Sequence, residues 1–140
     1  MSDDESSTPI PASAWIFPTL IHGVLALAVC TRLMVGGSSR AREFADYNLG
    51  LPAATEAFVT AATRLESSHV LMLIVLAVAL AIDGLVLWLL GGWRRFEGMA
   101  WFFTVIVLLL ILWGLMEGSF FLADYKLREA LSRRAPVRGP

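Results

Sequence analysis

The chain has 140 residues, of which 57% are hydrophobic and 16% charged, with a formal net charge of -1. The near-neutral balance excludes nucleic-acid binding through bulk charge, and a single cysteine, Cys30, excludes an internal disulfide. Two histidines and one cysteine do not supply a structural zinc site, so no metal or other cofactor is expected.

Residues 1–12 are acidic and Ser-rich, with Pro9 and Pro11, and are expected to be a disordered tail. The tail lacks the basic start of a signal peptide, so the first apolar run is expected to be retained. That run covers residues 15–36, with Ser13 as a candidate cap and Pro18 in its first turns. Gly36 and Gly37, followed by Ser38 and Ser39, are expected to end it.

The following segment, 40–68, is patterned in its second half. Leu51, Ala54, Phe58, Ala61 and Leu65 fall at steps of three and four, which predicts an amphipathic helix over about 52–66. Glu56, Thr60 and Arg64 share another face of it. Two placements fit: flat on a membrane surface, or packed on a neighbour as an extension of the next helix.

The second apolar run, 69–92, carries one formal charge, Asp83, and stops at Gly91-Gly92. A short turn with Arg94 and Arg95 leads into the third, 99–122, which carries only Glu117. The turn is short enough to make these two helices antiparallel neighbours. The third helix is expected to continue to about residue 132, and 133–140 to be a disordered basic tail. Runs of this length match the ~30 Å apolar thickness of a bilayer at ~1.5 Å per helical residue. The expected fold is therefore all-α: an integral membrane protein with three transmembrane helices and a short amphipathic helix in the first loop. Trp15, Trp88, Trp93 and Trp101 fall at one expected interface, and Phe120, Phe121 and Tyr125 at the other.

Basic residues set the expected orientation. The first loop and C-terminal tail carry Arg40, Arg42, Arg64, Lys126, Arg128, Arg133, Arg134 and Arg138, against Arg94 and Arg95 on the other side. The positive-inside tendency places the N-terminus outside and the C-terminus in the cytoplasm, in a plasma (inner) membrane.

Ionisable residues within apolar helices are costly and call for partners. His22 and Asp83 lie at similar depth near one face, and Arg32 and Glu117 near the other, which makes two candidate pairs. They either lock the helices in register or serve a proton or ion path in a small oligomeric transporter or channel. Gly114 and Gly118 form a GxxxG that permits close helix approach, within the chain or between copies. The sequence holds no HExxH, GxSxG, CxxC or glycine-rich phosphate loop, so no enzymatic activity is expected.

Phe44, then Leu51-Pro52-Ala53-Ala54-Thr55 (an LPxxT), then Ala61-Ala62-Thr63-Arg64-Leu65 and the apolar run from His69 form an ordered series. This series resembles the inner-membrane platform protein F family of type II secretion and type IV pilus systems. The resemblance implies three spans and a non-catalytic scaffold that couples an ATPase to pilus or pseudopilus assembly, here reduced to a membrane core. It also implies an external position for the LPxxT loop, where the basic residues imply a cytoplasmic one. The expected function is thus a non-enzymatic membrane scaffold or accessory subunit, with the lipid bilayer and a protein partner or second copy as its contacts.

Overall fold

The computed structural model describes residues 11–91 and 95–134, and within these the chain is helical apart from short connections. Four helices follow in order: α1 (Ser13–Asp46), α2 (Ala53–Ser67), α3 (His69–Leu89) and α4 (Phe96–Arg134). Most of both expected tails and Trp93-Arg94 lie outside the described residues. Three of the helices, α1, α3 and α4, are long and apolar enough to cross a membrane.

The first helix departs most from expectation. It does not stop at Gly36-Gly37 but runs unbroken to Asp46. Both glycines keep right-handed helical geometry, since Gly91 is the positive-φ glycine among the described residues. Each costs about 1 kcal/mol of helix propensity relative to Ala, and each faces a neighbour that needs the missing side chain. A Cβ on Gly36 would lie 2.5 Å from the ring of Phe120, and one on Gly37 would collide with the Cβ of Ala62. Ser38 Oγ donates to the Met34 carbonyl and Ser39 Oγ to Glu43, so both serines are absorbed into the helix.

The helix ends at Asp46, ten residues past Gly36, in a Schellman motif. Asn48 adopts the left-handed region (φ 51°), its N–H donates to Ala45 O, and Leu49 N–H donates to Phe44 O. At the other end, Ala12 occupies the cap position and makes no side-chain cap bond, so Ser13 does not cap α1 as expected.

α2 begins after Pro52, whose φ of -59° suits the entry to a helix. It folds back antiparallel along α1 and buries Thr55, Val59 and Ala62. The buried stripe is thus rotated from the expected one: Ala54 is exposed, while Phe58 and Leu65 are half-buried. α2 packs on α1 and α4 within the chain. Ser68, at φ -141° and ψ 50°, breaks the path between α2 and α3 without a side-chain cap bond. Glu56, Thr60 and Arg64 are all exposed.

α1 is the central helix and contacts each of the others, whereas α3 and α4 touch little. They run antiparallel as expected, yet both lean on α1 rather than on each other. Leu80 fills the space over Gly23, and Thr19 and Trp15 fill that over Gly84. α4 is one continuous helix from Phe96 to Arg134, and its inward stripe includes Phe102, Met116, Ser119, Phe120 and Ala123. Phe120 is therefore a fully buried core residue and not an interfacial aromatic, whereas Phe121 and Tyr125 are exposed.

The 21 residues of α3 span ~31 Å. The longer α1 and α4 overhang it, and with α2 they form a charged cap at one end.

Gly37→Ala is expected to destabilise the bundle by about 1–3 kcal/mol through overpacking. Gly114→Ala, with nothing within 4 Å of its Cβ, should cost nothing and can add helix propensity. Denaturant titration of both variants in detergent micelles checks the contrast.

Candidate functional site

The two expected pairs are both formed, and each sits in a larger cluster. Near the end of the bundle away from the cap, His22 on α1 is 2% exposed and Asp83 on α3 is 12% exposed. His22 Nδ1 lies 2.7 Å from Asp83 Oδ2, and Nε2 lies 3.1 Å from the Phe102 carbonyl oxygen of α4. Trp101 Nε1 donates to Asp83 Oδ1 at 2.9 Å. A carbonyl oxygen only accepts, so Nε2 carries its hydrogen and donates to Phe102. The imidazole also stacks on the Phe102 ring, with centroids 5.0 Å apart. One histidine thus ties together all three long helices.

At the cap end of the apolar length, Arg32 Nε and Nη2 donate to Glu117 Oε1 and Oε2 at 2.5 and 2.9 Å. This bidentate fork fixes orientation as well as distance. Two turns further, Arg40 Nη2 donates to Asp124 Oδ2 at 2.8 Å and Nη1 to the Gly36 carbonyl at 3.3 Å. The guanidinium of Arg40 lies 4.5 Å from the centroid of Phe120 and that of Arg32 lies 5.8 Å from it.

The sequence reading missed Arg40 by assigning it to a loop. The signal was present in spacing: Arg32, Gly36 and Arg40 lie four apart, and Glu117, Phe120 and Asp124 lie three and four apart, so each set shares one helix face.

The LPxxT residues have work within the chain. Pro52 is buried at the head of α2 and Leu51 is half-buried beside it. Thr55 is fully buried, and its Oγ1 donates to the Ser119 carbonyl at 3.0 Å. Gly114 and Gly118 stand apart from these contacts: nothing approaches within 4 Å of a Cβ built on either. They take no part in packing within the chain and leave a small-residue stripe on the outer side of α4.

His22 and Arg32 are ten residues apart on α1, ~15 Å along the axis. The α1 segment between them holds no Asp, Glu, Lys, Arg or His, so no charged side chain of α1 links the two clusters. No buried side-chain nitrogen or oxygen lacks a hydrogen-bond partner among the described residues. Nor does any group of three His, Cys, Asp or Glu side chains there stand ready to hold a metal ion. No protein-family model, curated protein or solved structure matches the chain.

Asp83→Leu strands a buried imidazole and is expected to cost about 3–5 kcal/mol. The double variant His22→Phe with Asp83→Leu should lose well under the sum of the two single losses, because no buried polar group is left alone. Detergent unfolding of the four proteins of this cycle tests the coupling.

Proposed function

We propose that the chain is a three-span integral membrane protein that acts as a non-enzymatic scaffold or accessory subunit of a membrane assembly. α1, α3 and α4 supply the spans, and large apolar side chains such as Leu20, Val24, Leu73, Val78, Leu108 and Leu115 point outward along them. In water such a surface would drive association, whereas lipid solvates it. The observation that carries the scaffold reading is that His22, Arg32, Asp83 and Glu117 are all engaged with partners inside the chain. Ionisable groups of a transport path must exchange partners, whereas these are held in bidentate or three-way contacts that fix helix register.

The distribution of basic residues orients the charged cap toward the cytoplasm and the N-terminus outward. In that frame the cap is the partner-facing part, with Arg42, Glu43, Glu56, Arg128 and Glu129 exposed on it. A reduced secretion or pilus platform is one form of this function, suggested by the LPxxT order between the first and second spans, and it requires the opposite orientation, with the cap outside. A second copy is the other contact, for which the open Gly114 and Gly118 stripe is suited.

Crosslinking and affinity purification from native membranes should recover a defined partner, secretion components or a second copy; a monomer that copurifies with nothing overturns the scaffold. Flux into proteoliposomes tests the transporter alternative. No solute or proton flux is expected, and flux abolished by Asp83→Asn or Glu117→Gln would replace the scaffold with a transporter. In a Cys30→Ala background, a cysteine at Ser132 should react with impermeant maleimide only after permeabilisation, and one at Ala12 in intact cells.

A further inference from the structure

At the junction of α2 and α3, on the outside of the bundle, a groove of about 510 Å³ runs down from the cap into the apolar length. Leu71, Val75 and Ala79 of α3 form one wall and Cys30 of α1 lies opposite, while Arg64 and Ser68 stand at the mouth. From Leu71 to Ala79 the wall extends ~12 Å along the helix axis.

Arg64, like Arg42, has no carboxylate partner among the described residues, but of the two only Arg64 lines this apolar groove. Arg32, Arg40 and Arg133 are each paired with a carboxylate. Arg64 is exposed and has no ion pair among the described residues. Its nearest acidic neighbour in sequence, Glu66, accepts from Ser38 Oγ and lines a different groove, between α1 and α2. Ser67 Oγ is turned back onto the Arg64 carbonyl, and the guanidinium is the one charged group among the described residues lining the trough.

We infer that this groove binds one anionic phospholipid, its acyl chain along Leu71, Val75 and Ala79 and its phosphate on Arg64. The charge pattern complements that ligand from end to end: a cation where the headgroup lies, hydrocarbon beneath it. The inference rests on the three-span reading, which places the α2–α3 junction at the cytoplasmic interface, the leaflet surface where anionic lipids concentrate. A zwitterionic lipid offers the same phosphate but sets its own cation near the guanidinium, so the site discriminates by charge.

Native mass spectrometry of the full chain in neutral detergent, with phosphatidylglycerol and phosphatidylcholine of equal chain length in competition, tests this. Retained phosphatidylglycerol should exceed phosphatidylcholine about fivefold, the ratio one interfacial arginine supplies. Arg64→Gln should bring the two lipids level, Arg64→Lys should keep the preference, and Arg42→Gln, at the neighbouring groove, should leave it unchanged. Ala79→Trp, an exposed position that fills the trough without disturbing the packing, should remove both adducts. Equal retention by the native chain, a preference that survives Arg64→Gln, or adducts undiminished by Ala79→Trp overturns the site. A dimer without lipid overturns it in favour of a second copy in the groove. Alkaline carbonate washing of native membranes separates the two levels. Release of the chain overturns the membrane reading and the site together, whereas retention without a phosphatidylglycerol preference overturns the site alone.

Discussion

The bundle depends on the seat of Phe120 against Gly36. The ring is fully buried, and it reaches α1 only because Gly36 has no side chain. Arg32 and Arg40, one turn either side of that notch, lie 5.8 and 4.5 Å from the ring centroid. Both then continue to carboxylates on the helix that carries the ring, Glu117 and Asp124. Cation–π and charge-assisted contacts therefore converge on one apolar anchor. Because Arg40 must stay on the same helical face as Arg32, α1 cannot end at its glycine pair. The neighbouring Gly37, rotated ~100° around the axis, accepts Ala62 of α2. Two adjacent glycines thus serve two different helices, and the length of α1, the fold-back of α2 and the height of the cap follow from them.

His22 performs the matching role at the far end, with aromatic and polar contacts in place of cations. It is held by α3 through Asp83 and by α4 through the Phe102 carbonyl. Since α3 and α4 touch little, these two tethers to α1, with Trp101 donating to Asp83, fix their relative height. The arrangement has a cost: three helices leaning on one cannot close around a chamber, and the seams between them open outward as grooves. The same geometry leaves long apolar faces and side grooves on the outside of the bundle.

The helices and the two ion pairs were legible in the sequence because their signals are local or additive. An uncharged run of spanning length announces itself, and two ionisable residues at equal depth in neighbouring runs have few other partners. The end of α1 was not legible, since Gly36-Gly37 followed by two serines is the usual signature of a helix stop. Whether a glycine ends a helix or admits a neighbour depends on what lies across from it, and Phe120 and Ala62 are 84 and 25 residues away. The actual stop, Asn48 in the left-handed region, carries the weaker of the two residue signals for a helix terminus. Misplacing that end also hid Arg40, which as a loop residue had no reason to seek Asp124. Phe120 was misjudged for the same reason: an aromatic near the end of an apolar run fits an interface unless a notch opposite it is known.

The two polar clusters differ in exposure in a way that the proposed membrane frame accounts for. Arg32 and Glu117 are 37% and 35% exposed, whereas His22 and Asp83 are 2% and 12% exposed. Gly23 meets Leu80, and Gly37 meets Ala62. Arg32, between them on α1, therefore lies level with the start of α3, where the apolar length ends and where the proposed frame would set the headgroups. An ion pair there keeps part of its hydration, and long side chains can reach the interface. His22 and Asp83 sit further within the apolar length, where in that frame hydrocarbon would offer no such relief, and Phe102 and Trp101 of α4 supply their other polar contacts. Exposure falling with depth is the order that the desolvation cost of charge requires.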